Sequence, residues 1–398
     1  MVRDLPVQTM DHPGQPNKPR KMQMNQRINR CVWRGCVISL LLAAHNAAAT
    51  SASWNVDAGG SWATDANWSP AAAPGATSAT TNPDIATFNK TLGADSLVTV
   101  DANRNIGGIT FSNGSAFKFS LGGGNLLLTN GGVIRTAAGN GVHTDTITTA
   151  IAIQGDGGAA TITAGATASA SVLSLADVAG VSSASNITTL TLNGANTGGN
   201  SITGSIGDGL AGGKLAVTKS DGGTWIFNGA TANSYSGGTS VIGGTLLLQK
   251  SGGGNAIAGN ITLGDGAGSD ILQLQAGDQI ADDSVITLVG TATNQRGLLR
   301  LNGFNESIGG LSSASTGAGV VENFSGTTNS ILTLNVVSGT QTYSGILRNF
   351  GAGGPNSLAV VKSGAGTQVL SGANSYTGTT TVNSGTLVIA GAQTGSGQ

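Results

Sequence analysis

Leu358 to Ala390 reads LAVVKSGAGTQVLSGANSYTGTTTVNSGTLVIA, and Leu215 to Gln249 reads LAVTKSDGGTWIFNGATANSYSGGTSVIGGTLLLQ. Lys219 falls on Lys362, Thr224 on Thr367, Tyr235 on Tyr376, and Thr245-Leu246 on Thr386-Leu387; two extra residues near Thr231-Ala232 are the one difference in length. A text written twice at this scale signals a repeat architecture, in which stacked units bury a continuous core that no unit could bury alone. The likeness begins upstream, where Leu190-Thr191-Leu192-Asn193 matches Leu332-Thr333-Leu334-Asn335. Each unit is therefore about sixty residues long and holds several short strands.

The strands are read from alternation. Leu215 and Val217 face one way and Ala216 and Thr218 the other; Leu272 and Leu274 alternate with Gln273 and Gln275; Leu299 and Leu301 flank Arg300. A period of two sends one row inward and the other to water. Between these rows stand Asn193-Gly194, Asn228-Gly229, Gly237-Gly238, Gly243-Gly244 and Asn302-Gly303, pairs suited to tight turns with positive φ. No helical spacing persists past residue 54, so almost no helix is predicted there. Pro is missing from Asp84 to Gly354 and aromatic residues are scarce. Unbroken ladders and a narrow aliphatic core both favour a coil of stacked strands over a sandwich of hairpins. The predicted fold is all-β, a right-handed parallel β-helix (β-solenoid), with a rise of about 4.8 Å per coil and a rod on the order of 75 Å.

Taken in order, residues 1–49 form a polar leader and a signal peptide. Arg27, Arg30 and Arg34 are the basic region, Cys36 to Ala44 the apolar run, and Ala47-Ala48-Ala49 the cleavage site. The apolar run is too short for a membrane span. Met22 or Met24 is an alternative start to Met1. Residues 50–96 are read as an N-terminal cap, in which Trp54, Trp62 and Trp68 close the core, although such rings also suit a sugar-stacking platform. Residues 97–188 are a solenoid of weaker repeats, with strands at 97–100, 109–111, 117–119 and 126–128; its Ala/Thr/Ser/Gly-rich part, 137–188, is where disorder is expected first. Residues 189–391 hold the two repeats, 190–250 and 332–391, and a spacer; 392–398 is a tail.

The composition excludes much chemistry. Both cysteines, Cys31 and Cys36, lie in the signal, so the exported chain has neither disulfides nor thiol catalysis. Residues 1–50 hold seven Lys/Arg against two Asp/Glu, which leaves 11 basic and 17 acidic residues beyond, a net of −6. A sparse, mildly acidic surface argues against nucleic acid and anionic lipid as partners. His143 is the one histidine left, in a turn-like segment where it reads as a solvated loop residue, so no His-based metal site and no Ser-His-Asp triad is expected. Paired carboxylates are the remaining catalytic route. Asp282-Asp283 read as a turn before Val285-Ile286-Thr287-Leu288; Asp265 and Asp270 read as a Gly-Asp turn, the nine-residue period of a calcium repeat being absent; Asp278, Asp282 and Asp283 with Arg296 and Arg300 are the one grouping that a groove could bring together. Recurrence gives Lys219 and Lys362, and Tyr235 and Tyr376, structural jobs: the lysine stems over the coil with their charge in water, the tyrosines at a corner with the hydroxyl exposed. No catalytic, cofactor or metal residue is assigned.

The text K-S-G-x-G-T-x-x-L-x-G-A-N-x-Y-x-G-x-T-x-V-x-x-G-T-L resembles the autotransporter-associated β-strand repeat, also called the passenger-associated transport repeat. Residues 358–390 follow it nearly throughout; residues 215–249 follow it with Asp221 for a Gly. Ile261 to Asn323 resembles the spacer between such repeats, and Trp54 to Trp68 the opening of the same large bacterial proteins. The resemblance implies a non-catalytic, exported passenger-like protein of the cell surface, outer membrane or periplasm, with a structural or adhesin-like role, whose repeats aid secretion and folding. It implies a type V-like secretion pore or the outer membrane as a partner, glycans or other cells as contacts, and no small-molecule cofactor. The C-terminal barrel usual in such passengers is not in the sequence up to Gln398, which leaves three readings: a gene fragment, which the ragged end favours, export only to the periplasm, or translocation that depends on another chain. The rival reading is a polysaccharide lyase or hydrolase on a β-helix, with Asp282, Asp283 and Arg300 at its centre.

Overall fold

The computed structural model describes residues 50–78, 81–137, 139–155, 157–165, 171–181, 186–209, 212–292, 295–314, 319–349 and 356–396. The signal and leader lie outside them, as do parts of the Ala/Thr-rich segment.

Three columns of parallel strands wind into a solenoid, and among the described residues the one helical piece is a 3₁₀ turn at Asp65–Asn67. The first face stacks, among others, Ile85–Phe88, Arg104–Phe111, Ala159–Thr163, Ile187–Asn193, Lys214–Lys219, Thr239–Val241 and Ile261–Leu263. The second stacks Ser96–Val100, Phe119–Gly123, Asn200–Ile202, Thr224–Gly229, Thr245–Lys250, Ser269–Leu274 and Gln295–Arg300. A shorter third face carries Ile151–Ile153, Val178–Gly180 and Ile206–Gly207. The alternation read from sequence holds: Leu215, Val217, Leu272, Leu274, Leu299 and Leu301 are buried, and their neighbours point outward. The strand read at 117–119 begins only at Phe119; Phe117 is exposed, its carbonyl taken by the Asn113 side chain in a turn. Within the Ala/Thr-rich segment, Thr144–Ile147 and Val172–Leu175 pair in register.

Registry makes the core a set of side-chain columns along the axis. One first-face column runs Ile109, Ile134, Ile162, Leu192, Lys219, Val241, Leu263, Leu288. A second-face column runs Trp225, Leu246, Leu272, Leu299, Val321, Leu347. At the N-terminal end Trp54, Trp62 and Trp68 are buried against Phe88, with ring centroids 5.6–6.1 Å from it. The indole nitrogens of Trp62 and Trp68 donate to the carbonyls of Pro74 and Trp62. These rings are interior and offer no platform to a sugar.

The columns continue past Gly310 with one repair. Glu306–Ile308 pairs with Ser330–Asn335, which pairs with Leu358–Ser363 and then Thr380–Val382, prolonging the third face. Thr340–Tyr343 packs on Gly310–Ser313 and carries the first face into Thr367–Leu370 and Thr386–Ile389. At that joint Gln368 takes over from the backbone ladder: its amide accepts from the Leu311 N–H at 3.0 Å and donates to the Leu311 carbonyl at 2.9 Å. The first repeat therefore enters on the first face and the second on the third. The same text occupies positions rotated by one face about the axis.

Candidate functional site

The repeated text is the part of the chain with the most specific geometry. In each copy four strands pair two by two. Val217 to Val241 aligns strand one with strand three, and Thr224 to Lys250 strand two with strand four. In the second copy Leu358–Ser363 pairs with Thr380–Val382, and Thr367–Leu370 with Thr386–Ile389. A copy is thus two adjacent coils on two faces.

Three buried polar side chains hold each copy. Lys219 continues the inward row of Leu215 and Val217, and its ammonium donates to the carbonyls of Ser220, Asp221 and Gly243 at 2.7, 2.8 and 2.8 Å. The first two carbonyls belong to the corner of one coil and the third to the next. Burial pushes this lysine down to about 8, against the pull of Asp221 and Asp270, so it is charged at neutral pH and its three N–H groups match three acceptors. Lys362 repeats the arrangement with Ser363, Gly364 (2.9 Å) and Ser384 (3.4 Å). The expectation of a charge held in water is corrected: the corner carbonyls replace the solvent. Close packing at this corner requires glycine. Gly244 and Gly385 have φ of 63° and 70°, and a Cβ on either would lie 2.3 Å from a carbonyl oxygen.

Asn233 and Asn374 do the second job. Their side-chain carbonyls accept the N–H of Ile206 (2.9 Å) and Leu347 (3.0 Å) on the preceding coil. The third falls to the tyrosines, whose hydroxyls meet Thr239 and Thr380 at 2.6 and 2.8 Å. Both rings are buried, which corrects the expectation of exposed hydroxyls. The neighbouring coils contribute equivalents that the sequence reading passed over: Lys250 donates to the Gly204 carbonyl at 2.6 Å, and Glu306 accepts the N–H groups of Gln279 and Ile280, burial raising its carboxyl to about 8. The signal was present. Lys219 and Lys362 stand at inward positions of an alternating strand, as do Asp270 before Leu272 and Glu306 before Ile308.

The residues weighed for catalysis do not assemble. Asp282 and Asp283 are exposed in a turn ahead of Val285–Leu288. Arg300 pairs not with them but with Glu322, at 3.0 Å, and Arg348 grips the other oxygen of Glu322 at 2.5 Å. Asp265 accepts the Ala267 N–H in a turn, while Asp270 points into the core. Among the described residues no three His, Cys, Asp or Glu come together as a metal site. His143 is not a solvated loop residue. Its side chain is nearly covered, with Nδ1 3.0 Å from the Ser115 carbonyl and Nε2 3.1 Å from buried Asp145.

Fold and repeat together define a parallel β-solenoid built around two-coil units clamped by internal lysines. Residues 217–248 and 360–389 each match the family model of the Passenger-associated-transport-repeat. No curated protein and no solved structure matches the chain. Two segments of the chain thus match a structural repeat, and the family of that repeat implies a secreted or cell-surface protein.

Proposed function

We propose that this chain is an exported, non-catalytic surface protein whose two repeats act as folding nuclei during secretion and whose remaining coils form a structural or adhesive scaffold. The observation that carries this reading is the clamp made by Lys219 and again by Lys362, each joining corners of successive coils. Val217 and Thr239, paired inside the first repeat, are closer in sequence than Leu190 and Val217, paired across its start. Loop closure gains only about 0.2 kcal/mol from that shortening. The clamp is the larger effect, because it satisfies three carbonyls at once within one local unit. A chain threaded unfolded through a pore can therefore close this unit first and template its neighbours by parallel pairing.

The test is expression of the full chain in a Gram-negative host, followed by fractionation and protease treatment of intact cells. The expected result is a product cleaved after Ala49 and recovered outside the inner membrane. Lys219→Met with Lys362→Met lowers the exported folded yield more than the yield refolded from denaturant. A chain that remains uncleaved in the cytoplasm refutes the proposal.

A further inference from the structure

We propose that Arg296, Arg300 and Arg348 form a binding site for the carboxylate or sulfate groups of an acidic polysaccharide. The proposal rests on the reading of this chain as displayed outside the cell.

The three guanidiniums lie on the outward side of the second face. Arg296 and Arg300 share one strand at even spacing, and Arg300, Glu322 and Arg348 occupy successive rungs of the ladder. In a chain with so few charges, three cations around one anion is a marked local excess. Glu322 is buried and spends both oxygens: one accepts from Arg300 Nε, the other from Arg348 Nε and Nη2. Arg296 has no ion-pair partner among the described residues, although it is near enough to Arg348 and Glu322 to feel both charges. Glu322 balances only one of the three guanidiniums, so the cluster keeps an excess of positive charge that an external anion lying across it can meet.

The neighbourhood fits a sugar. The Arg300 guanidinium carbon lies over the Phe324 ring, 3.7 Å from its centroid, and Phe324 itself is held at φ 54°. A bulky residue in the left-handed region costs energy that its surroundings must supply, so the plate is held in place by design of the corner. Stacked guanidinium and ring offer a planar surface on which a pyranose can lie. Arg300 and Arg348 are two rungs apart, about 10 Å along the axis, so a linear polymer lying parallel to the solenoid can present successive acidic groups to them. A nucleic acid, densely charged along its length, would meet a net acidic balance of charge over the rest of the chain.

The experiment is calorimetric titration of the purified full chain with oligogalacturonate and with a chondroitin sulfate oligosaccharide; a neutral maltooligosaccharide and inorganic sulfate are controls. At least one acidic oligosaccharide is expected to bind, more weakly as salt rises, and the two arms tell uronate from sulfate. Arg296→Gln leaves the Glu322 pairs intact and is expected to weaken binding about tenfold. Glu322→Gln releases Arg300 and Arg348 and is expected to tighten it; should that variant unfold, Arg296→Gln alone decides. Equal binding of the neutral oligosaccharide, inorganic sulfate binding as tightly as the oligosaccharides, or no effect of Arg296→Gln overturns the site. Failure here is separate from failure of export, because the titration uses purified protein and the export test uses whole cells.

Discussion

The ammonium of Lys219 lies 2.8 Å from the carbonyl oxygen of Gly243, one coil further along, while its stem occupies a rung between Leu192 and Val241 in an otherwise aliphatic column. Lys362 stands likewise between Leu334 and Val382. A long apolar stem with a three-donor head is the one natural side chain that can both fill a core rung and saturate three corner carbonyls.

Lys219→Met keeps the stem and removes the donors. Each buried acceptor left unpaired costs about 1–3 kcal/mol, partly offset because no charge need be desolvated. A net loss of about 3 kcal/mol is expected, with Lys219→Arg no rescue because a planar fork cannot reach three converging carbonyls. Denaturant unfolding measures it; a methionine variant as stable as the parent would show that the clamp contributes nothing.

Gly244→Ala attacks the same corner from the backbone. The alanine would have to hold φ near 63° with its Cβ 2.3 Å from the Gly223 carbonyl oxygen. Strain and clash together are expected to cost more than about 2 kcal/mol, whereas alanine at Gly222, where a Cβ meets open space, is expected to be silent. The contrast in melting temperature between these two variants is the measurement.

The strands, their alternation and the turns were legible in the text because each depends on local chemistry: apolar residues at every second place and Asn-Gly or Gly-Gly between. What was not legible was the inward lysine, although the period of two already placed Lys219 in line with Leu215 and Val217. A charged residue is assigned to the surface by default because an unpaired charge in the core is prohibitive; only the three-dimensional corner shows that the partners are backbone carbonyls from two coils. Gln368 reaching Leu311, the Arg300–Glu322–Arg348 ladder and the rotation of the second repeat were hidden for the same reason, since each depends on how far the coils have advanced between distant residues.

Stability is expected to fall as pH rises from about 5 to 8. His143 is buried, which alone would lower its pKa, but the hydrogen bond and charge of Asp145 and the Ser115 carbonyl raise it above the ordinary histidine value of 6.5. Both ring nitrogens face acceptors, so the imidazolium is the favoured form. A raised histidine contributes stability that is complete below its unfolded pKa and lost as pH climbs through the folded one. Glu306, raised to about 8 by burial, holds its proton in the fold from pH 4.5 upward and also loses stability toward 8. Melting temperature against pH should slope downward, and His143→Gln should flatten the part above pH 6.5. A profile unchanged by that substitution would remove His143 from the account.

Because the two repeats occupy faces rotated relative to one another, the geometry they encode must be local to two coils and indifferent to which face begins. Replacing residues 215–249 by the text of 358–390 should therefore preserve the fold. Lys362 would land on Lys219, Asn374 on Asn233 and Tyr376 on Tyr235, each tyrosine with its threonine four residues on; the two lost residues come from the exposed corner at Thr231-Ala232, which is why the second-corner carbonyl is 24 residues from Lys219 and 22 from Lys362. The expected cost is the loss of Trp225 and Phe227 from the second-face columns, replaced by Gln and Leu: about 3–5 kcal/mol for the tryptophan cavity. Restoring Trp at the position of Trp225 in the graft should recover most of it. A graft shifted by two strands, which separates each lysine from its second corner, should fail to fold in either version. Circular dichroism and thermal melts of the three chimeras decide the matter: if the in-register graft with Trp restored melts no higher than the shifted one, the repeat is not a self-contained two-coil unit.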